Sequence, residues 1–285
     1  MKKFSFFSVV ILLCLSLLCS CASTPSATSD PSSGATAPTS TTTNKTDTRN
    51  PASDFEYIVR DTGVTIQRYI GTDTTVVIPE RIENQPVTAL NVDSFWLTSI
   101  EKVVIPDTVI IIADRAFGGC SSLKEVVFGN GVEKIWKQAF IGCVALTEVI
   151  LPSSLQVLEN ESFSGCTSLK KVQLPKGLTQ MGSSVFSNAP IEELILEDGI
   201  AFLSGSFAFY GSTFKQLTIP ASVKKIVSYE LFYGNTHLER IYFEGDAPEI
   251  VGDLPFEAHT VIYYKEGTSG WETTSLKDTY TLIAQ

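Results

Sequence analysis

Apolar residues recur along this chain at one fixed interval. Phe117, Phe140, Phe163, Phe186, Phe209 and Phe232 stand 23 residues apart. Such a period is the signature of a solenoid built from stacked units. Around each phenylalanine the pattern repeats. Leu123, Leu146 and Leu169 follow six residues after the first three, with Ile191, Phe214 and Leu238 as later equivalents. Next come the pairs Val126/Phe128, Val149/Leu151, Val172/Leu174, Leu194/Leu196, Leu217/Ile219 and Ile241/Phe243. Strict alternation there predicts a strand with one buried face. Pro79, Pro106, Pro152, Pro175 and Pro220 stop several of these strands, because proline cannot donate into a ladder. Further inward positions, Val109/Ile112, Val132/Ile135, Leu155/Leu158 and Leu178/Met181, follow in each unit. Small residues before the phenylalanines (Ala116, Ala139, Ala208) and glycines after them (Gly119, Gly142, Gly165) predict a short helical turn.

The expected fold is therefore a repeat solenoid. It has one parallel strand per unit of about 23 residues and short helical turns between strands. Both ends must be atypical. Residues 54–79 alternate around Asp61-Thr62-Gly63 and read as a capping hairpin, and residues 244–285 read as the other cap, with Val261–Tyr264 as a last strand and Trp271 over the terminal core. About nine strands from Val76 to Tyr264 give a stack roughly 40 Å long at about 4.8 Å per strand.

The N-terminal part has a different pattern. Lys2 and Lys3 precede an apolar run from Phe4 to Leu18, so residues 1–20 read as a secretory signal. Leu18-Cys19-Ser20-Cys21 resembles the lipobox of bacterial lipoproteins, which implies cleavage before Cys21 and lipid on its thiol. From 22 to 53, 25 of 32 residues are Ser, Thr, Pro or Ala, and none is Val, Ile, Leu or aromatic. Such a stretch cannot bury a core. Residues 21–53 are thus expected to be a lipid-anchored tether and residues 54–285 the folded domain.

Charge narrows the function. Lys plus Arg is 21 against 31 Asp plus Glu, a net charge of −10. Losing Lys2 and Lys3 leaves 19 against 31, or −12. That acidity argues against nucleic acid as a partner. With only His237 and His259, neither a histidine relay nor a multi-histidine metal site is expected. There is no nucleophile elbow, phosphate loop or HExxH, so the sequence predicts no catalytic residue, no cofactor and no enzyme activity.

Phe117-Gly118-Gly119-Cys120-Ser121-Ser122-Leu123-Lys124-Glu125-Val126, repeated at Phe163–Val172, resembles the unit of BspA-like leucine-rich-repeat proteins. So do Val76-Val77-Ile78-Pro79 at the entry and Tyr263–Trp271 near the close. The resemblance implies a right-handed leucine-rich-repeat stack on a bacterial cell surface, some of whose relatives adhere to host matrix proteins or other cells. It carries over no catalytic residue. An insertion of five residues between Pro79 and Phe95 departs from the pattern.

Cys120, Cys143 and Cys166 occupy one column. Neighbouring units would bring their Cα atoms within disulfide range. Three thiols pointing the same way, however, read as a buried column in a slot for small residues. Two surfaces are candidates for a protein or glycan ligand. One is the outward middle position of each strand, Val127, Ile150, Gln173, Ile195, Thr218 and Tyr242, whose other reading is a ladder that only stabilises the sheet. The other is Trp136, Ile141, Tyr210 and Tyr233. Two functions stay open: a lipid-anchored surface module for binding or adhesion, and a structural or scaffolding envelope protein without an external ligand.

Overall fold

The structure, a computed structural model, describes residues 49–285. The expected signal segment, Cys21 and the expected tether as far as residue 48 lie outside the described residues.

The fold opens with the hairpin β1 (Phe55–Arg60) and β2 (Gly63–Tyr69), paired antiparallel. β2 then runs parallel to Gln85–Leu90, so the cap is the first rung of a ladder that follows. The insertion after Pro79 forms a second, tight hairpin, Arg81–Ile82 against Gln85–Leu90. Glu83 and Asn84 turn it with φ of 49° and 60°, the left-handed pair such two-residue turns require.

Each coil of the stack carries three rows of contacts to its neighbours. The first is the predicted strand. Ten strands stack here among the described residues, from Thr75–Val77 to Val261–Tyr264 and a final Thr281–Ala284 that alternation alone did not reveal. The second row was expected only as inward positions. Ile111–Ile112, Lys134–Ile135, Val157–Leu158 and Gln180–Met181 pair in parallel as two-residue strands, so there are two strands per coil rather than one. The third row contains the phenylalanines, and it is not helical. Short helices among the described residues are confined to Ala52–Asp54 and Ser275–Asp278.

Alternate amides explain why the third row is not a helix. The N–H groups of Arg115, Phe117 and Gly119 donate to the carbonyls of Lys137, Ala139 and Ile141 in the next coil. The amides between them, Ala116, Gly118 and Cys120, donate three residues back within their own turn. The arrangement recurs through Gln138, Phe140 and Gly142 and again through Glu161, Phe163 and Gly165. It needs a left-handed residue two positions before each phenylalanine. Asp93, Arg115, Gln138, Glu161, Ser184, Phe207 and Glu230 supply it, with φ between 53° and 62°. Each costs about 1–2 kcal/mol in backbone strain. The inter-coil hydrogen bonds, about 1 kcal/mol each, offset that cost.

The core is one column of rings. Phe95 through Phe232 are fully buried and stack with centroids 4.7 to 5.7 Å apart and planes within 19°. Tyr69 continues the column at the hairpin end, 5.4 Å from Phe95. Phe256 closes it at 5.5 Å from Phe232. Trp271 stacks on Tyr264 at 4.7 Å and covers the terminal core. At the first edge of the strand row, Asn50 acts in place of a neighbouring coil: its N–H donates to the Val77 carbonyl, and its Oδ1 accepts from the Val77 N–H at 2.7 Å.

Two substitutions test this packing. Phe163→Ala leaves a ring-sized cavity between two stacked neighbours and should cost about 3–5 kcal/mol in urea unfolding. Ser162 is fully buried and its hydroxyl has no partner, in a column that holds Ala116, Ala139 and Ala208. Ser162→Ala should raise the unfolding midpoint, by about 1 kcal/mol of stability.

Candidate functional site

The pleat sends alternate residues of each first-row strand inward, and the others form an outward column. Val77, Val104 and Val127 are in register, then Ile150, Gln173 and Ile195, then Thr218, Tyr242, Tyr263 and Ile283. Val127 and Ile150 are the most open of the expected apolar positions, 40 % and 52 % exposed. Thr218 is exposed, and Gln173, Ile195 and Tyr242 are half-buried. Tyr263 and Ile283 extend the column beyond the six positions read from the sequence.

The row is interrupted twice among the described residues, between Ile195 and Thr218 and, beside two exposed branched side chains, between Val127 and Ile150. The first sheet ends at Glu125–Val127 and the next begins at Glu148–Ile150. Elsewhere the bonds Lys124 N–H to Glu101 C=O and Lys170 N–H to Thr147 C=O join successive coils. Among the described residues no backbone bond joins 124–128 to 147–151. A groove opens at this place, lined by Lys124, Glu125, Val127, Phe128, Thr147 and Ile150 among others. Behind it the coils stay closed, because Lys134–Ile135 pairs with Val157–Leu158 and Phe117 stacks on Phe140 at 4.9 Å. The site thus combines two exposed branched side chains with unpaired strand edges.

Charges edge one side of the column. Lys102 pairs with Glu125 at 2.7 Å, Lys124 with Glu101 at 2.9 Å, Lys171 with Glu148 at 3.2 Å, and Lys170 with Glu192. These pairs are exposed, worth at most about 1 kcal/mol each, and leave a rim of alternating sign. At the far end Tyr242 stacks on Tyr263 at 5.0 Å, so the two rings cover each other's faces.

The second candidate surface divides. Tyr210 and Tyr233 stack at 6.1 Å, and Phe207 meets both edge-on. Ile141 is separated from them in its column by Ser164 and Ser187, and Trp136 lies on the second row. The four residues therefore do not form one patch. Phe207 was missed because its column is otherwise polar or charged (Gln138, Glu161, Ser184, Glu230). Trp96, 40 % exposed, was missed because it precedes the regular period; it lies over Gly118, with the Arg115 guanidinium 5.7 Å from its ring.

The cysteines are free and buried. Each Sγ reaches a phenylalanine carbonyl one coil earlier: Cys120 to Phe95 at 3.0 Å, Cys143 to Phe117 at 3.2 Å and Cys166 to Phe140 at 3.3 Å. Asn235 donates to Phe209 in the same slot at 3.1 Å. Ala189 fills the same slot without a side-chain donor, so the hydrogen bond accompanies the slot in four coils but is not required by it. Burial raises all three thiols, Cys166 to about 12. His237 and His259 are exposed, and among the described residues no His, Cys, Asp or Glu cluster could hold a metal ion. No helix among them is long and apolar enough to cross a membrane.

A sequence profile described as the BspA type leucine rich repeat region matches residues 88–204 and 203–258, in six copies that together span more than half of the chain. The chain belongs to this family. BspA-type proteins are typically bacterial surface proteins and generally non-catalytic binding modules, and membership suggests a protein-interaction module. No curated protein matches the chain. Among solved structures, the leucine rich repeat protein of T. pallidum is 26 % identical, with a TM-score of 0.54 over 83 % of this chain and 100 % of that one. A leucine rich cell surface protein from Faecalibacterium prausnitzii shares the fold at 22 % identity, with a TM-score of 0.58 over 83 % of this chain and 72 % of that one.

The thiol column gives a pH test. An ordinary thiol ionises near 8.5. Above that pH the unfolded chain sheds thiol protons that the folded chain keeps, so the folded state loses stability as pH rises towards 12. Below it this contribution is fully present. Urea midpoints should fall between pH 8.5 and 10.5, less steeply in Cys143→Ala/Cys166→Ala, and a thiol reagent should label Cys120, Cys143 and Cys166 only after unfolding.

Proposed function

We propose that this protein is a lipid-anchored module of the bacterial surface that binds a protein partner on the outward column of its first strand row. The observation that carries this reading is the exposed pair Val127 and Ile150 at an interruption of that row. Exposed apolar groups beside unpaired strand edges suit a polypeptide, which offers apolar side chains and backbone donors and acceptors together. The alternating rim adds register and specificity. A sugar ring needs an open aromatic face, and on this column the half-buried Tyr242 and Tyr263 each lose one face to the other. Protein is therefore preferred to glycan. Anchorage rests on Leu18-Cys19-Ser20-Cys21 and on the tether composition. Lipid on Cys21 would hold the chain at the membrane, and about 30 Å of coil would lift the repeats from it.

The test displays the full chain on cells and probes it with envelope proteins, host-matrix proteins and a glycan array. A protein ligand should bind wild type. Val127→Asp/Ile150→Asp should weaken it by more than about tenfold, which corresponds to 1.4 kcal/mol. Ile110→Asp, an exposed position on another row, should leave it intact. Undiminished binding by the double variant rejects this face, and stable envelope association without any external ligand supports a scaffolding role instead. Cys21→Ser should release the chain from the membrane fraction; retention there contradicts the lipid anchor.

A further inference from the structure

The last coil of the third row carries a second surface, remote in the fold from the strand row. Tyr233 is 53 % exposed and ends the stacked pair with Tyr210. Beside it a groove is floored by the buried Phe232 and Phe256 and edged by Glu230, Asp253, Leu254 and Glu257. Its floor is fixed. The Tyr280 hydroxyl donates to the Phe256 carbonyl at 2.6 Å and accepts from the Phe256 N–H at 3.1 Å, which clamps that peptide from both sides. Leu254 stands 41 % exposed above it.

Three carboxylates around an aromatic floor form an incomplete arrangement. None of Glu230, Asp253 and Glu257 makes an ion pair among the described residues, and no basic side chain lines the groove. A purely apolar occupant would have to strip water from these carboxylates without replacing it. A metal ion is disfavoured, since these residues do not form a group able to hold one. A guanidinium or ammonium on a long stem satisfies every part. Its head meets the carboxylates and the Tyr233 ring, and its methylenes lie against Leu254. We infer that this groove binds an arginine or lysine side chain presented by a basic segment of a partner protein. The net charge of −10 would favour its approach.

A fluorescent Gly-Arg repeat peptide, titrated into detergent-solubilised full-length protein at roughly physiological ionic strength, tests this. A citrulline peptide of equal length is the uncharged match. Glu230→Gln/Asp253→Asn/Glu257→Gln and, separately, Tyr233→Ala should each weaken the arginine peptide by about tenfold. Glu56→Gln/Asp61→Asn/Glu80→Gln, the same loss of charge at the other end of the stack, should leave affinity near wild type. Equal weakening by that control would assign binding to general acidity and overturn the proposal. So would equal affinity for the citrulline peptide, or no binding of the arginine peptide at all.

Discussion

No coil of this protein has an inside of its own. One phenylalanine per coil enters the axis of the stack, and each ring is buried only because a ring from the coil before and one from the coil after cover its faces. Every other regularity follows from that spacing of about 5 Å. It sets the two parallel strand rows, and it places the turn amides in reach of the next coil's carbonyls. The left-handed backbone at Arg115, Gln138 and Glu161 is retained because those amides find partners only in that conformation. The ends of the column are the exceptions, and different chemistry closes each. Tyr69 and Asn50 close the first coil, while Phe256, Trp271 and the final strand Thr281–Ala284 close the last.

A stack of this kind yields a long outward surface without forming a deep cavity, so its chemistry is that of a surface. Along most of the strand row the outward residues stand in register on paired strands. The pairing lapses between Glu193–Leu196 and Gln216–Ile219 and, beside two exposed branched residues, between Glu125–Val127 and Glu148–Ile150. At the latter break the phenylalanine column and the second row keep the coils together, while the strand row does not pair. Such a defect presents exposed apolar groups and open backbone groups on a rigid support, the combination on which the proposed binding rests.

Much of the fold was legible because the period is long, strict and marked by one bulky residue. The strands, the proline stops, the hairpin around Gly63 and the role of Trp271 all follow from alternation and spacing. The turn row was not legible. Small residues and glycines around each phenylalanine suit a helical turn equally well, and only the amides' choice of partner in the next coil decides against it. The second strand row was hidden for a similar reason, since two residues such as Lys134–Ile135 are too few to show alternation. The outward column could be read residue by residue, but its interruption could not. The spacing stays at 23 residues across Val127 and Ile150, and nothing local marks the unpaired edge. Tyr210 and Tyr233 stand 23 residues apart and so are legible as neighbours, whereas Phe207 stands in an otherwise polar column.

The claim that most depends on the whole arrangement is that the interruption beside Ile150 meets another protein. A photocrosslinking residue at position 150, compared with the same residue at position 110, tests it most directly on cells bearing the full chain. The structure predicts a discrete protein adduct from position 150 that is absent from position 110. Adducts of equal yield from both positions, or none from position 150, would contradict it.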